Sequence, residues 1–93
     1  MIRSFRSAET ARLWQGQTSR KLPTDIQDRA LRKLRQLDAA MTLDDLRLPP
    51  SNRLESLKGA HKGQFSIRIN DQWRICFQWT EGEAREVEIA DYH

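Results

Sequence analysis

A chain of 93 residues, 38% hydrophobic and 31% charged, has the balance of a folded soluble domain and is too short for two cores, so residues 1–93 are expected to form a single domain. Its net charge of +3 hides an uneven distribution: residues 1–37 carry nine Lys/Arg against three acids, and residues 47–74 carry six against two, whereas residues 75–93 hold one base and five acids. This basic surface favours polyanions, nucleic acid first, although a solvated charged face has the same count. One cysteine excludes an internal disulfide, no apolar run is long enough to span a bilayer, and "MIRSFRSAET" has no apolar signal core; a reducing cytoplasmic location is the expectation.

"MIRSF" reads as a short opening strand. "SAETARLWQG" reads as a short helix, with Ser7 as N-cap and Gly16 as stop. After the polar link "QTSRKL", Pro23 precedes a stronger helix, with Thr24 as its cap and Asp25 and Asp28 near its positive end. Ile26, Ala30, Leu34, Leu37 and Met41 recur at helical spacing, while Arg29, Arg32, Lys33 and Arg35 fill the remaining positions. One side of this helix is expected to pack and the other to show bases. "TLDDLRLPPSN" reads as a loop because consecutive prolines exclude a regular element. From residue 53 the period becomes that of strands: a short "RLESL", then Phe65, Ile67 and Ile69 alternating with polar residues. Trp73, Ile75, Phe77 and Trp79 follow after the turn "NDQ", and Val87 and Ile89 after the turn "TEGE". The expected fold is α+β, with two N-terminal helices on one face of a small, mainly antiparallel sheet and the opening strand at an edge. Arg68 and Arg74 take polar positions, so the uncovered face is expected to be basic and open.

In this order and spacing, "MIRSF", "LDAA", "LPP", "LKG", "WRI" and the closing "DYH" resemble the HigB branch of the RelE-like toxin superfamily, the toxins of bacterial toxin–antitoxin pairs. The resemblance covers nearly the whole chain. It implies a RelE-like fold and a ribosome-dependent endoribonuclease that cuts mRNA in the decoding site. It also implies a HigA-type helix-turn-helix antitoxin that neutralises the toxin and represses their operon. Operator DNA would then be met only through the toxin–antitoxin complex.

Cutting RNA without a metal or cofactor requires a base for the ribose 2′-OH, cations for the transition-state charge and an acid for the departing 5′-oxygen. In the terminal triplet, His93 has the ordinary pKa nearest neutrality and is the candidate for proton transfer. The resemblance places Asp91, Tyr92 and His93 together in the active site, with Asp91 orienting the imidazole or acting as base and Tyr92 stacking or contacting phosphate. Without it, the triplet reads as a solvated tail. Lys58, in "LKG", and Arg74, in "WRI", match family positions associated with phosphate binding and catalysis; in isolation each reads as a surface charge. Arg68 and Lys62 are further RNA contacts. Glu55 stands where some members of the branch carry histidine, and a carboxylate there can act as base but also repels phosphate. His61 reads as an exposed turn residue that touches RNA.

His61, His93 and Cys76 lack zinc-ligand spacing, and Cys76 reads as an inert thiol. Trp14, Trp73 and Trp79 read as core rather than as a stacking platform. Two other functions fit the composition: a basic module that binds RNA or the ribosome without cutting, and an interaction protein using apolar residues near Trp14 and Leu48.

Overall fold

The structure is a computed structural model that describes residues 1–59 and 63–91. Ser7 has extended backbone and its side chain accepts the Thr10 N–H at 3.2 Å, which starts helix α1, Ala8–Trp14. Gly16, at φ 86°, ends it: Gly16 N–H donates to Leu13 O and Gln17 N–H to Arg12 O, the paired bonds of a left-handed C-cap. Helix α2, Thr24–Ala39, starts differently from the expectation. Pro23 occupies the cap position and Thr24 is already helical, so no side chain caps this end. Gln27 instead ties down the preceding link: its amide donates to Ser19 O and Leu22 O, both at 3.0 Å. Ile26, Ala30, Leu34 and Leu37 are buried as the stripe predicts. Met41 is not: Ala40 turns to extended backbone and leaves Met41 80% exposed.

The proline-rich connection is more ordered than a plain loop. Two short 3-10 turns, Leu43–Arg47 and Pro50–Asn52, flank a cis Leu48–Pro49 bond. Thr42 and Asp45 form a reciprocal cap at the first turn. Asn52, fully buried, fastens the second: its side-chain amide donates to Leu46 O and Leu48 O, each at 3.2 Å.

The remaining chain forms an antiparallel meander in the order β1 (Glu55–Ser56), β2 (Gln64–Arg68), β3 (Trp73–Thr80) and β4 (Glu83–Asp91). Ile67, Ile75 and Phe77 face the helices and are inaccessible to solvent; Trp73 and Trp79 pack at the margin of the same core. A bulge corrects the alternation in β4. Between the pairs Cys76–Glu88 and Gln78–Arg85, β4 spends three residues against two of β3, and Glu86 takes φ 52°. Ala84, Val87 and Ile89 can therefore all point inward.

The opening segment is not a full strand. It meets β4 through two isolated parallel bridges, Ile2–Ala84 and Phe5–Val87, placed on either side of the bulge. Ser4 Oγ accepts the N–H of the bulged Glu86 at 2.9 Å. Further along the same edge, the buried Thr10 hydroxyl of α1 accepts the Ile89 N–H at 3.0 Å. The edge of β4 is thus covered by the N-terminal segment and α1. Trp14, considered above as an external contact, is half-buried and packs against Phe5 with ring centroids 6.5 Å apart; Leu48 is 71% exposed. Among the described residues no helix is long and apolar enough to cross a membrane.

Candidate active site on the outer face of the sheet

Residues directly opposed across antiparallel strands share a face. Glu55, Ser66, Cys76 and Glu88 therefore form one row across the sheet face turned away from the helices, and Arg68, Arg74 and Ala90 form the next. Arg74 is the centre of this surface and differs from the open arginine expected. It is only 8% exposed. Its Nε donates to Ser66 Oγ at 2.8 Å; its Nη2 donates to Arg53 O at 2.5 Å and to Ser66 O at 3.3 Å. The β2–β3 register brings Ser66 beneath the guanidinium. Arg53 reaches it because its own backbone is left-handed, φ 43° and ψ 58°, which follows the second 3-10 turn. A non-glycine residue in that region costs on the order of 1 kcal/mol, so the surrounding structure must hold it. Among the described residues Nη1 makes no hydrogen bond. The result is a cation fixed in one orientation, with one amine uncommitted.

Glu55 Oε2 lies 3.9 Å from Arg74 Nη2 and the glutamate is largely exposed. The pair is loose and gains little stability, but it sets an acceptor beside the fixed cation. Lys58 is exposed two residues beyond β1. Gly59 after it has φ 68° with open space where a Cβ would sit, so backbone conformation rather than close approach calls for glycine there. Arg68, opposite Arg74 in register, is half-buried and ion-paired with Asp71. Asp91 is paired with Trp73, and Ala90 with Arg74. Strand alternation thus sets Asp91 on the parity of the helix-covered side, at the exposed end of β4, where Gln72 Nε2 donates to its Oδ2 at 3.0 Å. The structure brings Arg74, Glu55 and Arg68 together. His61, Lys62, Tyr92 and His93 lie outside the described residues.

The thiol of Cys76 lies in the same row as Ser66. Burial, reinforced by the Glu88 carboxylate and partly opposed by Arg74, pushes its pKa up to about 11, which suits a packing group rather than a nucleophile. Among the described residues no three His, Cys, Asp or Glu side chains gather as a metal site. Sequence reading missed Arg53 and Ser66, the two residues that hold Arg74. Ser66 could be found from the register alone; the Arg53 carbonyl leaves no signature in side-chain type.

Comparison with known proteins identifies the relatives of this arrangement. The profile of HigB-like toxins, described as "RelE-like toxin of type II toxin-antitoxin system HigB", matches residues 3–93. The chain is 51% identical over 65 residues to Toxin HigB-1 of Vibrio cholerae serotype O1, covering 70% of this chain and 68% of that one. It is 31% identical to Endoribonuclease HigB of Proteus vulgaris over 93 residues, the full length of both. In fold it resembles the YoeB–YefM complex from Staphylococcus aureus, with a TM-score of 0.62 at 15% identity over 100% of this chain and 98% of the other. The chain belongs to the HigB family of RelE-like toxins of type II toxin–antitoxin systems.

Proposed function

We propose that this toxin is an endoribonuclease that cuts mRNA on the translating ribosome by metal-independent acid–base chemistry and so arrests growth. The observation that carries the reading is the fixed guanidinium of Arg74 on the helix-free face, in a chain that aligns end to end with a relative named an endoribonuclease. In the reaction, the 2′-oxygen attacks the adjacent phosphorus as its proton passes to a base. The P–O5′ bond then breaks as the 5′-oxygen gains a proton, leaving a 2′,3′-cyclic phosphate and a 5′-hydroxyl. Arg74 and Lys58 supply positive charge against the phosphorane-like transition state. Glu55 or Asp91 serves as base, and His93 as the proton donor; Tyr92 stacks on a base. Arg68, Lys62 and His61 contact flanking RNA. On the outer face of the sheet only one cation is rigidly placed among the described residues, so the ribosome supplies positioning of the message.

The partner is a HigA-type helix-turn-helix antitoxin, operator DNA is contacted only through it, and the toxin acts in the cytoplasm. Purified toxin added to a reconstituted translation reaction tests the reading. Cuts should appear in the translated message and be nearly absent from the same RNA without ribosomes. Equal cleavage of naked RNA would overturn the ribosome requirement.

A second reading, a basic module that occupies RNA or the ribosome without cutting, is favoured by the commitment of Arg74 Nε and Nη2 to the protein itself. Translation arrest without new message ends in the same reaction would select it.

A further inference from the structure

The exposed side of α2 and the end of β2 enclose a cleft of about 460 Å³. Its lining includes Arg29, Arg32, Lys33 and Arg68, with the neutral Gln36 and Ser51, and no carboxylate among the described residues. Two of the cations are tethered to neutral groups. Arg29 Nη1 donates to Ile69 O at 3.3 Å. Lys33 Nζ donates to the side-chain carbonyl of Asn52. Asn52 is itself fully buried and fastened to Leu46 O, Leu48 O and Gln36. These acceptors are neutral and cancel none of the charge. Among the described residues Arg68 alone of the four has a carboxylate partner, Asp71, whose side chain is 98% exposed. The crowding is felt electrostatically: burial first, then the neighbouring Arg29 and Arg32, lowers the Lys33 pKa from its ordinary value.

We propose that this cleft binds a phosphodiester group of RNA, a second anchoring point beside the candidate active site. Guanidinium forks with a lysine and a serine hydroxyl are the donor set that phosphate oxygens take. Arg68 stands opposite Arg74 in the β2–β3 register, so the cleft borders the surface on which the scissile strand is proposed to lie. The same phosphate chemistry is offered by message and by ribosomal RNA. This inference rests on the RNA-directed reading above, but not on cleavage.

Fluorescence anisotropy with a short fluorescein-labelled single-stranded RNA, across a salt series, compares the wild-type chain with Arg32→Gln and with Arg29→Gln/Arg32→Gln. Co-sedimentation with salt-washed ribosomes is measured in parallel. Lys33 is left intact because it holds Asn52. Arg32 is exposed, and circular dichroism should show both variants folded. The pair should bind about tenfold more weakly, with a slope of log affinity against log salt shallower by about 0.7 per lost phosphate contact. Weakening on the short RNA assigns the cleft to message; weakening on ribosomes alone assigns it to ribosomal RNA; either result supports the proposal. Unchanged affinity and slope in both assays would overturn it. So would a loss confined to binding of the co-purified antitoxin, which would make the cleft a seat for an acidic protein segment. Weaker RNA binding by the pair, in a protein whose wild type never cuts a translated message, would keep the cleft and discard the nuclease.

Discussion

Arg74 meets the sheet through Nε and Nη2, and an ammonium group cannot reproduce both bonds at once. Arg74→Lys is therefore expected to keep the charge and the fold but lower message cleavage by at least about a hundredfold, the scale of losing one oriented transition-state donor. Cleavage rates in a translation reaction, with circular dichroism as the folding control, check it. Asn52 is a purely structural counterpart. Asn52→Ala leaves Leu46 O and Leu48 O without their buried donor and should cost about 1–3 kcal/mol in denaturant unfolding. Cys76 titrates only at high pH because burial disfavours its thiolate. At neutral pH it should alkylate slowly in the native protein and rapidly once unfolded. Its folded pKa, about 11, lies above the ordinary 9.0, so its contribution to stability is present below about pH 9 and lost as pH rises through about 11.

At the scale of elements, β4 is the strand that leads toward the terminal residues, and its free edge is satisfied by pieces from the other end of the chain. Thr10 of α1 accepts from Ile89, and Ser4 accepts from the bulged Glu86. Thr10→Val keeps the shape but removes the acceptor, leaving a buried N–H; a loss of about 1–3 kcal/mol follows. Hydrogen exchange at Ile89 should accelerate more than at Ile75, which lies in the central strand pair. The alternation of β2 and β3 and the stripe of α2 were legible in the sequence because burial on one face imposes a period on residue type. The Glu86 bulge was not, because Ala84, Val87 and Ile89 look like ordinary spacing until the register of β3 is known. "MIRSF" reads as a strand, yet it meets β4 only through two bridges that flank the bulged Glu86. Thr24 was read as a cap because its side chain suits one, but Pro23 already supplies extended backbone there.

Across the whole molecule, helices cover one face of the meander and leave the other to a set of polar residues in which one arginine is rigid, seated on the buried Ser66 beside the exposed Glu55. The positions of Arg68 and Arg74 followed from polar alternation in the sequence. The burial of Arg74 did not, since it depends on a left-handed Arg53 brought in by the proline-rich connection. The basic residues of α2 were visible as a charged helix side; that four cations from two elements enclose one cleft is a property of packing alone. A nuclease built this way should leave RNA ends of one chemical type. Mapping of 5′-hydroxyl ends in cellular mRNA after brief expression measures this directly, with a chain lacking Asp91–His93 and Arg74→Lys as comparisons. The account predicts new 5′-hydroxyl ends within translated reading frames for the full chain and nearly none for either comparison. Growth arrest by the full chain with no such ends, or the same ends from the shortened chain, would contradict it.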